Sequence, residues 1–298
     1  MATLEASRDR YAQRLELSDA LAEVGDRTWA GIDRSDITGS WRELNPHLML
    51  AVSGAQLAAA QGSDSYVDAA LSEQGIDADP EARVVPRRLA GIASDGRTLD
   101  TLLDQPRITT LTAIQGGVSP DLALATGWVD LERILRTQVA DAGRVSDGIA
   151  VTARPRVGYV RMLSGKSCGR CAILAGKWFA HNQGFLRHPR CDCIHCPSVE
   201  NVAGDLATDP KRYFNSLTDA EQNDRFGKAN AQAIRDGADP ARVVNAGRKG
   251  GIYTTADGRQ ATRERGRGIV RITPEEIYRI APDRATSLDL LRLHGYIT

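Results

Sequence analysis

All five cysteines of this 298-residue chain, Cys168, Cys171, Cys191, Cys193 and Cys196, fall within 29 residues, together with His181, His188 and His195, three of its five histidines. Thiolate sulfur and imidazole nitrogen are the donors that tetrahedral zinc prefers. Two pairs have two intervening residues each, Cys168-Gly169-Arg170-Cys171 and His188-Pro189-Arg190-Cys191, and 16 residues separate them. A turn of that spacing can aim both of its donor atoms at one point, about 2.0–2.3 Å from the metal. The ligand set so selected is Cys168, Cys171, His188 and Cys191. Cys193 is the alternative to Cys191, because the two stand at i and i+2 and share a face of an extended chain. Cys196 and His195 are left over. Four protein donors close the shell, so the expected cofactor is a structural Zn2+ and not a catalytic one. Disulfides would need an oxidising compartment, and plain buried thiols would need no histidine beside them.

Other catalytic vocabulary is thin. His181-Asn182 suggests a base beside a metal, which would make the chain a zinc-supported nuclease. A His-Asn pair in a loop is more often a turn. His47 follows Pro46 and has no partner motif. There is no Gly-x-Ser-x-Gly elbow, no phosphate-cradling Gly-rich loop ending in Lys-Ser/Thr and no His-Glu-x-x-His. The expectation is a protein that is not an enzyme, with a zinc-supported nuclease or a zinc-containing DNA-binding protein as the alternative.

Charge supplies the second signal. The chain carries 38 basic and 38 acidic residues, but residues 1–150 hold 14 basic against 23 acidic, so a net of −9 faces +9 in residues 151–298. Most of the excess lies from Arg242 to Arg271. Arg242, Arg248, Lys249, Arg259, Arg263, Arg265, Arg267 and Arg271 outweigh Asp257 and Glu264 there, and six glycines are interleaved. Glycine-spaced arginines can track phosphates without reading sequence, or dock on an acidic protein. The expected contact set is Arg248, Lys249, Arg259, Arg263, Arg265 and Arg267. With Tyr253 the one aromatic residue of the segment, a base-stacking platform is not expected.

These groups need elements to hold them. Trp41, Leu44, Leu48, Val52, Ala55 and Ala59 recur at steps of 3 and 4, as do Leu124, Trp128, Leu131, Leu135 and Val139, so each set is one stripe of a helix. Ser119-Pro120 gives the second its N-cap and N1 proline. Residues 4–25, with Tyr11, Leu15, Leu21 and Val24, form a weaker third stripe, and residues 75–97 read as a surface connection. Near Arg154-Pro155 the texture changes. Gly158 to Leu163 alternates like a short strand, with Lys177-Trp178-Phe179 and Cys193-Ile194-His195 as neighbours. Thr218 and Glu221 form a capping box before a helix whose Phe226, Ala229, Ala233 and Ile234 face inward, ending at Gly237. Gly251 to Arg263, centred on Asp257-Gly258, reads as a hairpin with a type I′ turn. Thr273-Pro274-Glu275-Glu276 opens a last helical region.

The expected fold is α+β: a helical domain over residues 1–150, then over 151–298 a small zinc-stapled β core with a basic helix–hairpin–helix extension. The longest weakly polar run, Leu48 to Ala60, is far short of the ~20 residues that span a bilayer. The first ten residues mix charges where a signal peptide needs an apolar stretch. The reading is of a soluble protein made in a cytosol, with no membrane partner.

Ser167-Cys168-Gly169-Arg170-Cys171-Ala172-Ile173-Leu174-Ala175-Gly176-Lys177-Trp178, followed by Gly184-Phe185-Leu186-Arg187-His188-Pro189-Arg190-Cys191-Asp192-Cys193, resembles the signature of the Mu F-like head morphogenesis proteins. These are minor capsid proteins of tailed bacteriophages, and the versions carried by phages of actinobacteria are the most similar. Leu217-Thr218-Asp219-Ala220-Glu221, Phe226-Gly227-Lys228-Ala229 and Ala233 to Asp239 add to the likeness. The motifs cover roughly the second half of the chain. The resemblance implies a virion protein, assembled into the capsid in the host cytoplasm in few copies near the portal vertex. Its partners would be portal or major capsid protein, with a role in head assembly and in DNA packaging or ejection. The family's Cys-x2-Cys and His-Pro-x-Cys-x-Cys elements match Cys168, Cys171, His188, Cys191 and Cys193, and the resemblance gives them no catalytic role. Cys196 and His195 exceed the pattern. No fused protease or toxin domain of the kind some relatives carry is recognised, so the expectation is the bare structural version.

Overall fold

The computed structural model describes residues 4–163, 167–175, 177–180, 194–202, 209–247, 251–263 and 270–297. The chain is α+β: a packed N-terminal helical region is followed by two small antiparallel sheets among short helices. No helix among the described residues is long and apolar enough to cross a membrane.

Three long helices build the first region: α1 (Glu5–Ala30), α2 (Ile37–Ala60) and α6 (Pro120–Thr152). Between α2 and α6 come α3 (Ser63–Ser72), α4 (Leu99–Leu103) and α5 (Gln105–Gln115). The stripes on α2 and α6 meet as their spacing requires. Trp41, Leu48, Val52 and Ala59 bury against Leu131, Leu135 and Val139, and Trp29 of α1 packs edge-on against Trp41 with ring centroids 5.3 Å apart. Burying each large apolar side chain contributes about 1.5–3 kcal/mol. Residues 75–97 are largely surface, with a 3-10 turn at Pro86–Leu89, though Ala93 enters the core.

Of its expected stripe, α1 buries Leu21 and packs Val24 and Tyr11 against cores, but departs from it at Leu15. Leu15 is 41% exposed, while Ser7, Arg10, Arg14 and Ser18, spaced at 3 and 4, are buried. The reason lies on α6. Asp147, itself buried, accepts from Arg10 Nε and Nη2 at 3.1 and 2.9 Å and from Arg14 Nη1 at 3.2 Å. A charge is tolerated in a core when it is paired and its remaining protons are bonded. Arg10 meets that condition through the Ala59 carbonyl and Ser63 Oγ.

After α6 the first sheet has order β2-β1-β3, from β1 (Val157–Met162), β2 (Trp178–Ala180) and β3 (Ile194–Val199), and α7 (Gly169–Leu174) follows β1 in the chain. Val157, Met162 and Cys196 of this sheet share one core with Tyr66, Val67 and Leu71 of α3 and Ala150 and Val151 of α6. Arg154, at the turn between α6 and β1, is ion-paired with Asp68 of α3.

A separate core gathers the C-terminal elements α8 (Pro210–Asn215), α9 (Asp219–Phe226), α10 (Lys228–Arg235), α11 (Pro240–Ala246), α12 (Pro274–Ile280) and α13 (Arg284–Leu293). Phe214 and Phe226 meet edge-on at 5.1 Å inside it. The single helix expected from Thr218 to Gly237 is two helices. Gly227, at φ +84, breaks the chain between α9 and α10, and Ala229 is only half-buried as a result. The second sheet, order β4-β5-β6, comprises β4 (Ile252–Thr254), β5 (Gln260–Arg263) and β6 (Val270–Ile272). The expected hairpin is present with a different turn. Gly258 N–H donates to the Thr255 carbonyl at 2.9 Å and Thr255 N–H to the Arg259 carbonyl at 2.8 Å. Gly258 takes a positive φ of +80 and Asp257 does not, which fits a three-residue loop and excludes type I′.

Candidate metal centre and basic surface

Cys168 is the N-cap of α7 and Cys171 lies in its first turn. The two Sγ atoms are 3.7 Å apart. Two thiolates on one tetrahedral zinc, each at about 2.3 Å, stand about 3.8 Å apart, so the pair already has the length of one edge of the zinc tetrahedron. Cys171 is buried beside Leu163, while Cys168 is half-exposed. Two contacts fix the turn. Tyr213 Oη donates to the Ser167 carbonyl at 2.7 Å, and burial pushes the Tyr213 phenol up to about 12, so it remains a donor. Gly169 lies on the Phe226 ring so closely that a Cβ would come within 2.6 Å of it. The backbone can approach there only because the second residue of the motif has no side chain.

The other expected ligands, His188, Cys191 and Cys193, lie outside the described residues, as does His181. Among the described residues no group of three or more His, Cys, Asp or Glu side chains gathers where a metal could be held. The two leftover groups on β3 are placed well enough to follow. The Cys196 thiol enters the core shared with the helices, 3.2 Å from Ser7 Oγ, and burial pushes it up to about 12. A thiol so hard to ionise is a poor metal ligand. His195 stacks on Tyr159 with centroids 4.6 Å apart, and Tyr159 stacks in turn on Phe179 at 5.5 Å.

Of the expected basic contact set, Arg248, Lys249, Arg265 and Arg267 lie outside the described residues, and of Arg263 only the backbone, as the last residue of β5, is described. Arg259 is exposed on the hairpin and pairs with Asp257 at 3.1 Å. The tertiary structure adds groups that the linear segment conceals. Arg242 Nη1 donates to the Gly295 carbonyl at the end of α13. His294, beside Arg259 and Arg271, is held below the usual histidine range, first by burial and then by those two charges. Arg242 and Arg271 only bounded the segment in the sequence, and His294 carried no signal there.

A second polar system went unseen in the sequence. Tyr66 Oη donates to the His195 carbonyl at 2.6 Å and lies 3.0 Å from Ser7 Oγ. With its one proton committed, Tyr66 accepts from Ser7, and Ser7 accepts from Cys196. The chain of bonds ties β3 to α1 and α3. Ser198 Oγ donates to Gln74 Oε1 at 2.8 Å, and Gln74 Nε2 donates to the Pro197 carbonyl at 2.8 Å, extending the seam. The polar spacing of Ser7, Arg10, Arg14 and Ser18 was its available signal.

Comparison of the chain with protein-family models, with curated proteins and with solved structures finds no match in any of the three.

Proposed function

We propose that the chain is a structural protein of a tailed-phage head, a minor capsid protein of the Mu F-like head morphogenesis type, stapled by one zinc ion. The virion assignment rests on the sequence motifs around Cys168 to Cys193. The staple rests on one observation above all, the 3.7 Å separation of Cys168 and Cys171 Sγ. Cys168 and Cys171, with His188 and either Cys191 or Cys193, would fill the zinc shell.

The location of these groups gives the metal a job. Ala172, one residue beyond Cys171, packs into the C-terminal core. Cys193 immediately precedes Ile194, the first residue of β3, and Cys196 of that strand packs into the core shared with the long helices. A zinc ion ligated from both sides therefore ties two cores together. Among the described residues each of the two sheets has three strands, and a metal adds folding free energy that such small units gain poorly from burial alone. In this reading the acidic helical half meets portal or major capsid protein, and the basic C-terminal half faces packaged DNA without reading its sequence.

Metal analysis and melting of the purified full-length chain test the staple. Stoichiometric zinc is expected, with chelation lowering the melting midpoint by about 10 °C or more. Metal-free protein whose midpoint a chelator does not move would sink it. The virion assignment is tested by genome context and incorporation: neighbouring genes for a portal and a major capsid protein, and recovery of the chain in assembled heads, are expected. A locus without them would remove it.

A further inference from the structure

We propose that the C-terminal end of α13 is a phosphate site, where Arg242, Arg259, Arg271 and His294 hold a backbone phosphate of nucleic acid. The inference deepens the DNA-facing half of the reading above and is independent of the zinc. Three elements deliver the arginines to one place. Arg242 comes from α11, Arg259 from the loop before β5 and Arg271 from β6. A Cβ at Gly295 would lie 3.7 Å from Arg242 Nη1 and 4.0 Å from Arg271 Nη2. Two guanidinium groups far apart in the chain thus come close to one glycine. Arg259 and Arg271 both act on the neighbouring His294. Arg242 and Arg259 are exposed, so a ligand can reach them, while Arg271 and His294 are half-buried and held in place.

Opposing charge is present among the described residues: the C-terminal end of α13 is the negative end of its dipole, Arg242 is already bonded to the Gly295 carbonyl there, and Asp239 accepts from the Arg242 backbone N–H at 2.8 Å. Asp257 pairs with Arg259, and Glu276, which also faces Arg259, is engaged by Arg279. The arrangement favours phosphate over carboxylate. A single guanidinium fork satisfies the two coplanar oxygens of a carboxylate, whereas cations arriving from separate elements match a tetrahedral group whose oxygens point apart.

The test is fluorescence anisotropy of the full-length protein with a labelled duplex of random sequence, over a salt series. Arg242→Gln and Arg271→Gln should each weaken binding, about tenfold, and make the slope of log K against log salt shallower by about one. Arg292→Gln, paired on α13 with Asp289 at 3.0 Å, should leave the slope unchanged. Arg242→Lys should keep most of the slope, and melting midpoints report whether each variant folds. An unchanged slope in a folded Arg242→Gln, Arg271→Gln double variant overturns the site. So does a wild-type chain that binds polyglutamate but not DNA, which would assign the patch to an acidic protein. Zinc content is read on the same samples: wild type without zinc that still shows these effects overturns the staple and leaves the phosphate site standing.

Discussion

The two halves of the chain hold their helices by different means. In the N-terminal half α1, α2 and α6 run 26, 24 and 33 residues, and only α2 among them has a side-chain cap, from Asp36. The α1 N-terminus is closed from a distance, by Glu73 accepting from the Glu5 and Ala6 N–H groups at 2.8 and 2.7 Å. Among the described residues of the C-terminal half the helices run 6 to 10 residues, and five of the six from α8 onward begin with a side-chain cap: Asp209, Thr218, Asp239, Thr273 and Asp283. The difference follows from helix energetics. A short helix has few internal bonds to offset the cost of its first turn, so satisfying the terminal N–H groups is a large share of its stability. A long helix draws on a long buried stripe and can dispense with a cap. Local sequence therefore specifies the C-terminal helices, and packing specifies the N-terminal ones.

Asp147→Ala should break that contrast most severely, because it leaves the buried Arg10 and Arg14 guanidinium groups without their carboxylate. A loss of about 3–5 kcal/mol is expected in urea denaturation. A change under about 1 kcal/mol would show that the paired charges do not hold α1 to α6. Gly169→Ala is expected to cost about 1–3 kcal/mol, because the new methyl meets Phe226, and to weaken zinc retention against a chelator titration. Unaltered zinc affinity would separate the Cys168–Cys171 turn from its Phe226 support.

The caps offer a finer discrimination. Thr218→Ala, which removes a capping box, and Asp239→Ala should each cost about 1 kcal/mol. Ser119→Ala before α6 should cost close to nothing, since its hydroxyl makes no cap bond. Equal losses at all three positions would erase the distinction between the halves. The smallest effect concerns pH. The folded chain holds His294 below its ordinary value of 6.5, so below that pH the unfolded chain takes up a proton that the folded one resists. This contribution to stability is intact above about pH 6.5 and is lost as the pH falls toward the folded value. His294→Gln should flatten the fall in melting midpoint between about pH 6.5 and 5.5. A parallel curve would show that His294 is not what titrates there.

Much of the frame was legible. The stripes on α2 and α6, the strand β1 with its neighbours at Trp178 and Ile194, and the capping box at Thr218 follow from side-chain pattern and local hydrogen bonding, although β1 is buried along its whole length and does not alternate as expected. Asp209-Pro210 and Asp239-Pro240 carried the same cap signal and could have been read. The Ser119 cap was legible as a helix start but not as a bond, because N-cap geometry tolerates a hydroxyl turned elsewhere. The Cys168–Cys171 pair was legible as a turn by spacing, while its closeness to a tetrahedral edge depends on Tyr213 and Phe226, which enter from other helices.

By itself the sequence determined the local elements: where helices start, which faces are apolar, and where thiols and arginines concentrate. Those properties depend on residues a few positions apart. Only the tertiary structure decided that Arg10 and Arg14 are core residues, that Cys196 lies in the helical core while Cys171 does not, and that Arg242, Arg271 and His294 share a surface. Each of these depends on a partner delivered by a distant segment: Asp147 from α6, Ser7 from α1 and Gly295 from the end of α13. Burial and charge proximity are properties of that assembly, and no spacing along the chain encodes them.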